Sequence, residues 1–379
     1  MMGIFDKLHE QMKVVESESN HNGYWYSISN ALIILVCGML CGQKSIDDIH
    51  DWARSTPTRR FLLEQFGIER IFCRAQFYNI LKCVDADKFK LSFACWMKFV
   101  LGTQAKKTIA VDGKTVCGTG KLTKDGSVLH IASAIVSELN LVIGSVECGT
   151  KTGEIAAFRE LMELLDVSES VVVADALHCN PKSANAVIEA GADYLFVVKD
   201  NQPSLKDDIE FYFQNENSPS YTTIEKNGGR IEKRTAYVCN EIEWLYGKDR
   251  FANLSCIGAI HREFEKDSNK SSQWHYYISS KTLSSQELLT HARLEWAVES
   301  MHWLLDVHYA EDKTRVWDMN VQKVLNTARK IALNMTRIFK SASCSERTPF
   351  TSIMKENLFD LEKFSEFLNF FRGDGNLWN

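Results

Sequence analysis

Two aspartates stand at positions where a folded chain could bring their carboxylates together. Asp112 ends the apolar run 109–111, and Asp175 ends a second apolar run at 171–174. In open α/β sheets, ligand groups lie outside the ends of the strands, so we expect both side chains at one edge of a sheet. Carboxylates in such a place repel each other unless they are protonated or bridged by cations. Each aspartate alone could equally be a helix or turn cap.

A stripe of polar side chains is predicted on a helix near residue 300. Four residues recur at i, i+4, i+7 and i+11, namely Glu295, Glu299, His302 and Asp306. This spacing places them on one helical face. Trp296 and Trp303 border the stripe, and we expect both rings to be buried. On this pattern alone, the stripe is either a solvated surface or the wall of a cleft.

The same region of sequence as Asp112 contains Gly-Lys-Thr at 113–115, which raises the question of a phosphate-binding loop. A P-loop needs a glycine five residues before its Gly-Lys pair, and Thr108 stands at that position. The second candidate, Gly120-Lys121, is followed by Leu122 instead of serine or threonine. Neither stretch therefore fits a P-loop.

The composition is that of an ordinary globular protein and places limits on its partners. The 379 residues carry a net charge of −5, so no basic field over the whole protein indicates a nucleic-acid partner. The eleven cysteines include no C-x-x-C pair, which argues against a zinc site or a disulfide framework and favours a cytoplasmic location. The first twenty residues lack the apolar core of a signal peptide. The apolar run 31–42 is too short to span a bilayer, so we expect no membrane association.

The order of predicted elements indicates a mixed α/β architecture. Residues 1 to about 100 have apolar residues at helical spacing. From 107 to 199 the predicted order is β-β-β-α-β-α-β, a mixed sheet flanked by helices. A β-rich block with a hairpin around 227–229 follows, and a long helix begins at about residue 285. The predicted units are an all-helical domain at 1–103, a catalytic domain at 104–340 with a β-rich insertion at about 204–282, and a C-terminal tail at 341–379.

Several segments resemble, in order, blocks of the H-repeat-associated insertion-sequence transposases, from about residue 20 to 340. They are IAVDGKT, VVVADALHCNPKSANAVIEAGADYLFVVKDNQ, GGRIEKR, YYISS and EWAVESMHWLLDVHYAED. The resemblance implies a ribonuclease H-like core with an inserted β-domain. It also implies the DDE class of transposase, with Asp112 and Asp175 as the carboxylates at strand ends and Glu299 as the third, helical one.

Metal-dependent chemistry follows from these three acidic residues. Three carboxylates bring a charge of about −3 to one site, which hard divalent cations with oxygen ligands neutralise. We therefore expect two Mg²⁺ or Mn²⁺ ions and an in-line displacement at phosphorus. The resemblance implies that water cuts a DNA strand and that the freed 3′-hydroxyl then attacks target DNA. The implied partners are double-stranded DNA, as the terminal inverted repeats of the protein's own element and as target, and a second copy of the chain on that DNA.

The sequence departs from the family pattern at three positions. Asp306 stands where related enzymes often carry lysine, Gly228 where they usually carry histidine, and Ser300 where asparagine often follows the helical glutamate. These departures concern substrate contacts more than catalysis. If Glu299 is not the third carboxylate, Glu295 and Asp306 are the alternatives.

Positive charges cluster about the inserted hairpin and in the C-terminal part. Charge runs are usually solvated surface, although a local basic strip is enough for phosphate contacts. Lys199 follows the strand next to Asp175 and could either meet a phosphate or be an ordinary lysine at a sheet edge. The residues predicted to bind DNA are Lys114, Lys199, Arg230, Arg234, His302 and Arg315.

Two other functions are consistent with parts of the sequence. Asp175 with His178, and Glu299 with His302, have the spacing of paired ligands in an oxidative carboxylate site. Such sites lie on the helices of a bundle, whereas Asp175 closes a strand. The chain could also be a catalytically retired remnant of a transposase that binds or cuts DNA without strand transfer.

Overall fold

The structure is a computed structural model of the chain. It describes residues 2–18, 26–102, 106–116, 118, 128–148, 153–216, 218, 220–227, 230–266 and 269–373. The predicted domain boundary at 103–104 lies outside these ranges, and so do Gly228 and Gly229 of the predicted hairpin turn. The strands on either side of that turn pair as expected, with Asn227 opposite Arg230.

Nine strands form one mixed sheet in the described part of the chain. In chain order they are β1 (Thr108–Val116), β2 (Leu129–Val136), β3 (Leu141–Cys148), β4 (Val171–Ala174), β5 (Asp193–Val198), β6 (Ser220–Asn227), β7 (Arg230–Cys239), β8 (Cys256–Lys266) and β9 (Asn269–Ser279). Across the sheet the order is β3-β2-β1-β4-β5-β9-β8-β7-β6. β4 runs parallel to both β1 and β5, and the other neighbours are antiparallel.

Helices surround this sheet. They are α1 (Ile4–Glu18), α2 (Ile28–Leu40), α3 (Ile46–Arg54), α4 (Thr56–Phe66), α5 (Arg74–Cys83), α6 (Ala86–Leu101), α7 (Glu154–Leu164), α8 (Pro181–Glu189), α9 (Pro203–Asn215), α10 (Ser285–Leu294), α11 (Ala297–Tyr309), α12 (Met319–Ser343), α13 (Phe350–Phe359) and α14 (Leu361–Arg372). The predicted order is confirmed as β1-β2-β3-α7-β4-α8-β5. The fold is thus the predicted ribonuclease H-like mixed sheet, extended by the inserted strands β6 to β9. None of the helices described has both the length and the apolar character needed to cross a bilayer.

The central strands are buried on both faces because helices cover the sheet from both sides. Successive side chains of a strand point to opposite faces. On β4, Val172 and Ala174 pack in the core that holds α7, α8 and α9, whereas Val171 and Val173 pack against α10. On β1, Ala110 belongs to a third core, which contains α11 and α12. Continuous β-branched runs, without polar alternation, are typical of strands covered in this way.

The N-terminal and C-terminal helices share one hydrophobic core. α2 is apolar on all sides and packs against α12, buried along nearly its whole length. Trp96 in α6 is fully buried, and its Nε1 donates to the carbonyl of Ile4 at 2.9 Å. The segment predicted as a C-terminal tail supplies α13 and α14, whose Phe364 and Phe371 are buried in the same core. The helices of the N-terminal hundred residues therefore pack against the last third of the chain, and the domain boundaries remain predictions.

The long helix predicted from about residue 285 is divided in two. α10 ends at Leu294 and α11 begins at Ala297, and the backbone N–H groups of Trp296 and Val298 bond carbonyls three residues back, as in a tight 3-10 turn. The prediction that Trp296 and Trp303 are buried is also wrong, since they are 49% and 59% exposed. The guanidinium carbon of Arg262 lies over the Trp296 ring, 4.9 Å from the centroid of that ring. The ring therefore packs against Arg262 instead of entering the core.

Candidate active site

One cleft of about 560 Å³, between the sheet and the α10–α11 break, is lined by Asp112, Asp175 and Glu299. Parallel pairing of β1 and β4 sets Val111 beside Ala174, so the aspartates that follow them lie next to each other. Glu299 comes from the first turn of α11. The structure therefore brings together the three carboxylates that the sequence singles out.

A fourth carboxylate, Glu295, lines the same cleft. It caps the C-terminal end of α10 at the helix break, one turn before Glu299. Its i−4 spacing from Glu299 predicted that both side chains share one helical face, and both line the cleft although the helix is broken between them. Asp306, the last member of the stripe, lies elsewhere and does not line this cleft.

The carboxylate of Asp175 caps a turn and also lines the cleft. Its Oδ1 accepts a hydrogen bond from the backbone N–H of Leu177 at 2.9 Å and so caps the 3-10 turn Ala176–His178. In the described part of the chain its Oδ2 makes no hydrogen bond. Capping therefore fixes the orientation of the carboxylate and leaves one oxygen for a ligand.

Gly113 allows a further acidic group to approach Asp112. A Cβ atom at Gly113 would overlap the carboxylate of Glu154, at the start of α7. Burial is the largest cause that raises the pKa of Asp112 to about 6, opposed by a hydrogen bond from the Gly113 N–H and reinforced by Asp175, Glu154 and Glu299. The site thus concentrates more negative charge than its surroundings neutralise.

Glu295 experiences the same excess of negative charge. Burial, followed by the charges of Asp175 and Asp112, raises the pKa of Glu295 to about 7, and Lys199 opposes the shift. The donors of the cleft are carboxylate oxygens, which Mg²⁺ and Mn²⁺ prefer. Asp112, Asp175 and Glu299, with Glu295 as an alternative, therefore have the donor chemistry for a divalent cation, although their carboxylates are spread over the cleft and are less tightly grouped than those of Asp306, Glu311 and Asp312.

The two histidines of the alternative oxidative site are not arranged as metal ligands. His178 is buried against Phe158, with ring centroids 4.4 Å apart, and does not line the cleft. The Nε2 of His302 lies 3.7 Å from Oδ2 of Asp112. Burial and then the charges of Lys114 and Lys330 lower the pKa of His302 to about 3. His302 is therefore a neutral ring behind Asp112, which gives a phosphate no positive charge.

A second acidic cluster lies at the far end of α11. Asp306, Glu311 and Asp312 place their carboxylates close enough to suggest a metal site. The ammonium of Lys114 occupies the centre of this cluster, at 2.5 Å from Asp306, 2.8 Å from Glu311 and 3.6 Å from Asp312. This ion pair accounts for the aspartate at position 306, where related enzymes often carry lysine. In this chain α11 supplies the carboxylate of the pair, Asp306, and β1 supplies its cation, Lys114. We infer that the cluster joins β1 to α11 and binds no metal.

Replacing Asp306 by asparagine tests that inference. The variant loses one of three partners of Lys114 at a one-third exposed site, so unfolding should become easier by about 1 kcal/mol. For a chain of 379 residues this corresponds to a melting temperature lower by about 1 °C. Stabilisation of the protein by Mn²⁺, followed by differential scanning fluorimetry, should be unchanged. A normal melting temperature combined with lost Mn²⁺ stabilisation would show that the metal binds at this cluster.

The predicted DNA-binding residues do not all lie at one place. Lys199 and Arg234 line the carboxylate cleft, with Arg234 buried and held by Glu225 at 3.0 Å and Glu232 at 2.7 Å. Arg230 is half-exposed and contacts Glu232 at 3.1 Å. Lys114 is engaged by the acidic cluster at the end of α11 and would have to leave it to meet a phosphate.

Arg315 lies at a different groove, beyond the end of α11. The sequence did not single out Arg262 and Arg293, which also line the cleft. Arg262 reaches the cleft because β8 pairs with β7 in a register that places it opposite Arg234. Only the pairing of strands distant in sequence reveals this position, and no local motif marks it.

Metal binding at the cleft should strengthen as pH rises from about 5 to about 8. The pKa values of Asp112 and Glu295 are raised to about 6 and about 7, so at low pH a cation must displace protons. Without metal, the stability of the folded protein should instead fall as pH rises through the same range, because these buried groups then ionise. We expect the increase in melting temperature caused by Mn²⁺, measured against EDTA, to be small at about pH 5 and large at about pH 8. In Asp112→Asn, the increase in melting temperature caused by Mn²⁺ should depend less on pH. A wild-type increase that does not change with pH would contradict the expectation.

Comparison with known proteins gives consistent relatives. Residues 103–335 match the family model described as "Transposase DDE domain". The chain is 28% identical over 352 residues to "H repeat-associated putative transposase YhhI" of Escherichia coli K12, which covers 88% of this chain and 92% of that one. It is 30% identical over 329 residues to "Putative transposase YncI" of Escherichia coli O157:H7, with 82% of each chain covered. Among solved structures, a piggyBac transposase synaptic complex with hairpin DNA aligns with a TM-score of 0.47 at 12% identity, over 97% of this chain and 79% of that one.

Proposed function

Because the chain belongs to the family of transposases with a DDE domain, we propose that it cuts DNA at the ends of its own element and joins those ends to target DNA. The observation that carries this proposal is the convergence of Asp112, Asp175 and Glu299 on one cleft. They come from β1, β4 and α11, which are far apart in sequence and meet only in this fold.

Asp112, Asp175 and Glu299 would hold two Mg²⁺ or Mn²⁺ ions. Such ions, when bound, lower the pKa of a water nucleophile and stabilise charge on the attacking and leaving oxygens of a phosphodiester. The residues themselves keep these oxygen ligands in place, Asp175 through its bond to the Leu177 N–H and Asp112 through its position in β1.

The sheet side of the cleft supplies positive charge for the DNA backbone. Lys199, Arg234 and Arg262 line this side, opposite α11. Because Arg234 and Arg262 are held by Glu232, their guanidinium groups are fixed before DNA arrives. We propose that they orient the strand to be cut, so that its phosphate lies above the carboxylates. A homodimer that binds two element ends is part of the proposal.

A two-step assay tests this function. The first step measures Mg²⁺- or Mn²⁺-dependent cutting of a duplex that carries the element's native end. The second supplies a pre-cut end with a 3′-hydroxyl and measures its joining to plasmid DNA. Cutting and joining would support the proposal. Binding without either reaction would favour a retired remnant, and cutting without joining a nuclease.

A further inference from the structure

A second groove lies at the opposite end of α11 from Glu299. It has a volume of about 770 Å³, between the starts of α3 and α5 on one side and residues 310–316 on the other. Among the residues that the structure describes, five cations and one carboxylate, Asp47, line it. The cations are Lys44, Arg74, Lys313, Arg315 and Arg329. In a protein whose net charge is −5, this is a local concentration of positive charge.

Arg329 is the unusual member of this set. It belongs to α12, is 3% exposed and lines the groove. Within the described part of the chain its guanidinium makes no hydrogen bond or ion pair, and its buried Nε has no acceptor. The charge of Arg329 is attracted by Glu311, Asp306 and Asp312 without an ion pair being formed. These carboxylates pair with Lys114 instead. Buried polar groups are normally paired, so Arg329 is placed to receive an acceptor from outside the chain.

The rim of the groove has unpaired cations as well. Lys313 and Arg315 are exposed and form no ion pair with any described residue. Arg74 is paired with Asp47, and Lys44 donates to the carbonyl of Val307 at 3.0 Å. Arginine presents parallel N–H groups that match the oxygens of a phosphate. A buried arginine with two free cations above it therefore favours a phosphate group over a single carboxylate.

We propose that this groove is a second DNA-contact site, in which Arg329 receives a backbone phosphate and Lys313 and Arg315 hold the phosphates next to it. The inference rests on the proposed function, which supplies DNA as the partner. Phosphate could also arrive as a free nucleotide or as inorganic phosphate. DNA is favoured because the exposed cations continue the site outwards, which suits a polymer of phosphates.

The test measures the affinity for an element-end duplex as a function of salt concentration, in EDTA so that no strand is cut, with the wild type as the reference. Arg315→Gln and Lys313→Gln should each weaken binding and reduce the slope of log affinity against log salt by about 1. Lys182→Gln, an exposed cation on α8 at the opposite face of the sheet, should leave the slope unchanged. Slopes equal to that of the reference in both groove variants would overturn the inference.

Arg329→Gln and inorganic phosphate distinguish the remaining outcomes. Arg329→Gln should weaken DNA binding further, and the exposed variants carry the test if this buried substitution prevents folding. If phosphate raises the melting temperature of the wild type but not of Arg329→Gln, while the DNA slopes stay unchanged, the groove binds a small anion and not DNA. Absence of DNA binding by the wild type would instead contradict the proposed function itself.

Discussion

Replacing Asp112 or Asp175 by asparagine should reduce metal-dependent cutting of an element-end duplex by at least about 10³-fold. Each substitution removes an anionic oxygen ligand from the cleft. Metal ions contribute several kcal/mol of charge stabilisation in the transition state, and each 1.4 kcal/mol or so is a factor of ten in rate. DNA binding, measured by fluorescence anisotropy, should persist because the cations that line the cleft are unchanged.

Stability measurements separate this loss from misfolding. Since burial raises the pKa of Asp112 to about 6, its ionised carboxylate destabilises the metal-free protein at neutral pH. Asp112→Asn should therefore leave the melting temperature in EDTA unchanged or raise it, and should abolish much of the increase caused by Mn²⁺. If Asp112→Asn melts at a lower temperature than the wild type in EDTA, its loss of cutting could come from misfolding and would not support a role in metal binding.

Glu299→Gln and Glu295→Gln form a matched pair for the third ligand. They change the same chemical group one helical turn apart, at the edge of one cleft. We expect Glu299→Gln to match the aspartate variants and Glu295→Gln to reduce cutting by at most about 10–100-fold, the range typical of a group just outside the metal's ligand shell. The reverse order would make Glu295 the third ligand and Glu299 an accessory group.

Replacing Glu232 by glutamine should destabilise the protein by about 3–5 kcal/mol, the effect expected when one partner of a buried ion pair is removed. Glu232 is 5% exposed and its carboxylate contacts Arg234 at 2.7 Å, Arg262 at 2.8 Å and Arg230 at 3.1 Å. The neutral amide leaves Arg262 without any carboxylate partner among the described residues. For a chain of 379 residues the melting temperature should fall by roughly 4–6 °C.

Glu263→Gln is the control for this substitution. Glu263 lies on β8 beside the same cluster, but it forms one exposed ion pair, with Lys233 at 2.8 Å. Exposed pairs contribute at most about 1 kcal/mol, so the control should melt within about 1 °C of the wild type. Equal melting temperatures for the two variants would show that Glu232 does not hold the three arginines. Because Arg234 and Arg262 line the cleft, Glu232→Gln should also weaken DNA binding in the folded fraction.

The elements of the core could be predicted because their signals are local. The runs 109–111 and 171–174 are β-branched and end in aspartate, and parallel neighbours in a sheet end at the same edge. From these facts alone, the meeting of Asp112 and Asp175 follows. The assignment of Glu299 needed the family resemblance, since Glu295 lies on the same helical face.

The features that were not predicted depend on contacts between distant segments. The helix break before Ala297 has no proline or glycine to mark it, and the exposure of Trp296 follows from the position of Arg262 on β8. The ion pair of Lys114 with Asp306 joins residues almost 200 positions apart. Arg234 appears as a surface cation in the sequence, but in the fold it is buried and pairs with Glu225 on the neighbouring strand β6 and with Glu232 on its own strand β7.

The continuous sheet restricts how the cleft can open. β9 pairs with β5 along Leu195–Val198, so the inserted strands are joined to the catalytic strands by a ladder of backbone hydrogen bonds and not by a flexible linker. Such a ladder bends gradually, and the insertion cannot swing as a hinged lid. A DNA duplex wider than the cleft would therefore enter by displacement of the segment around the α10–α11 break, with the arginines and the two aspartates remaining in fixed register.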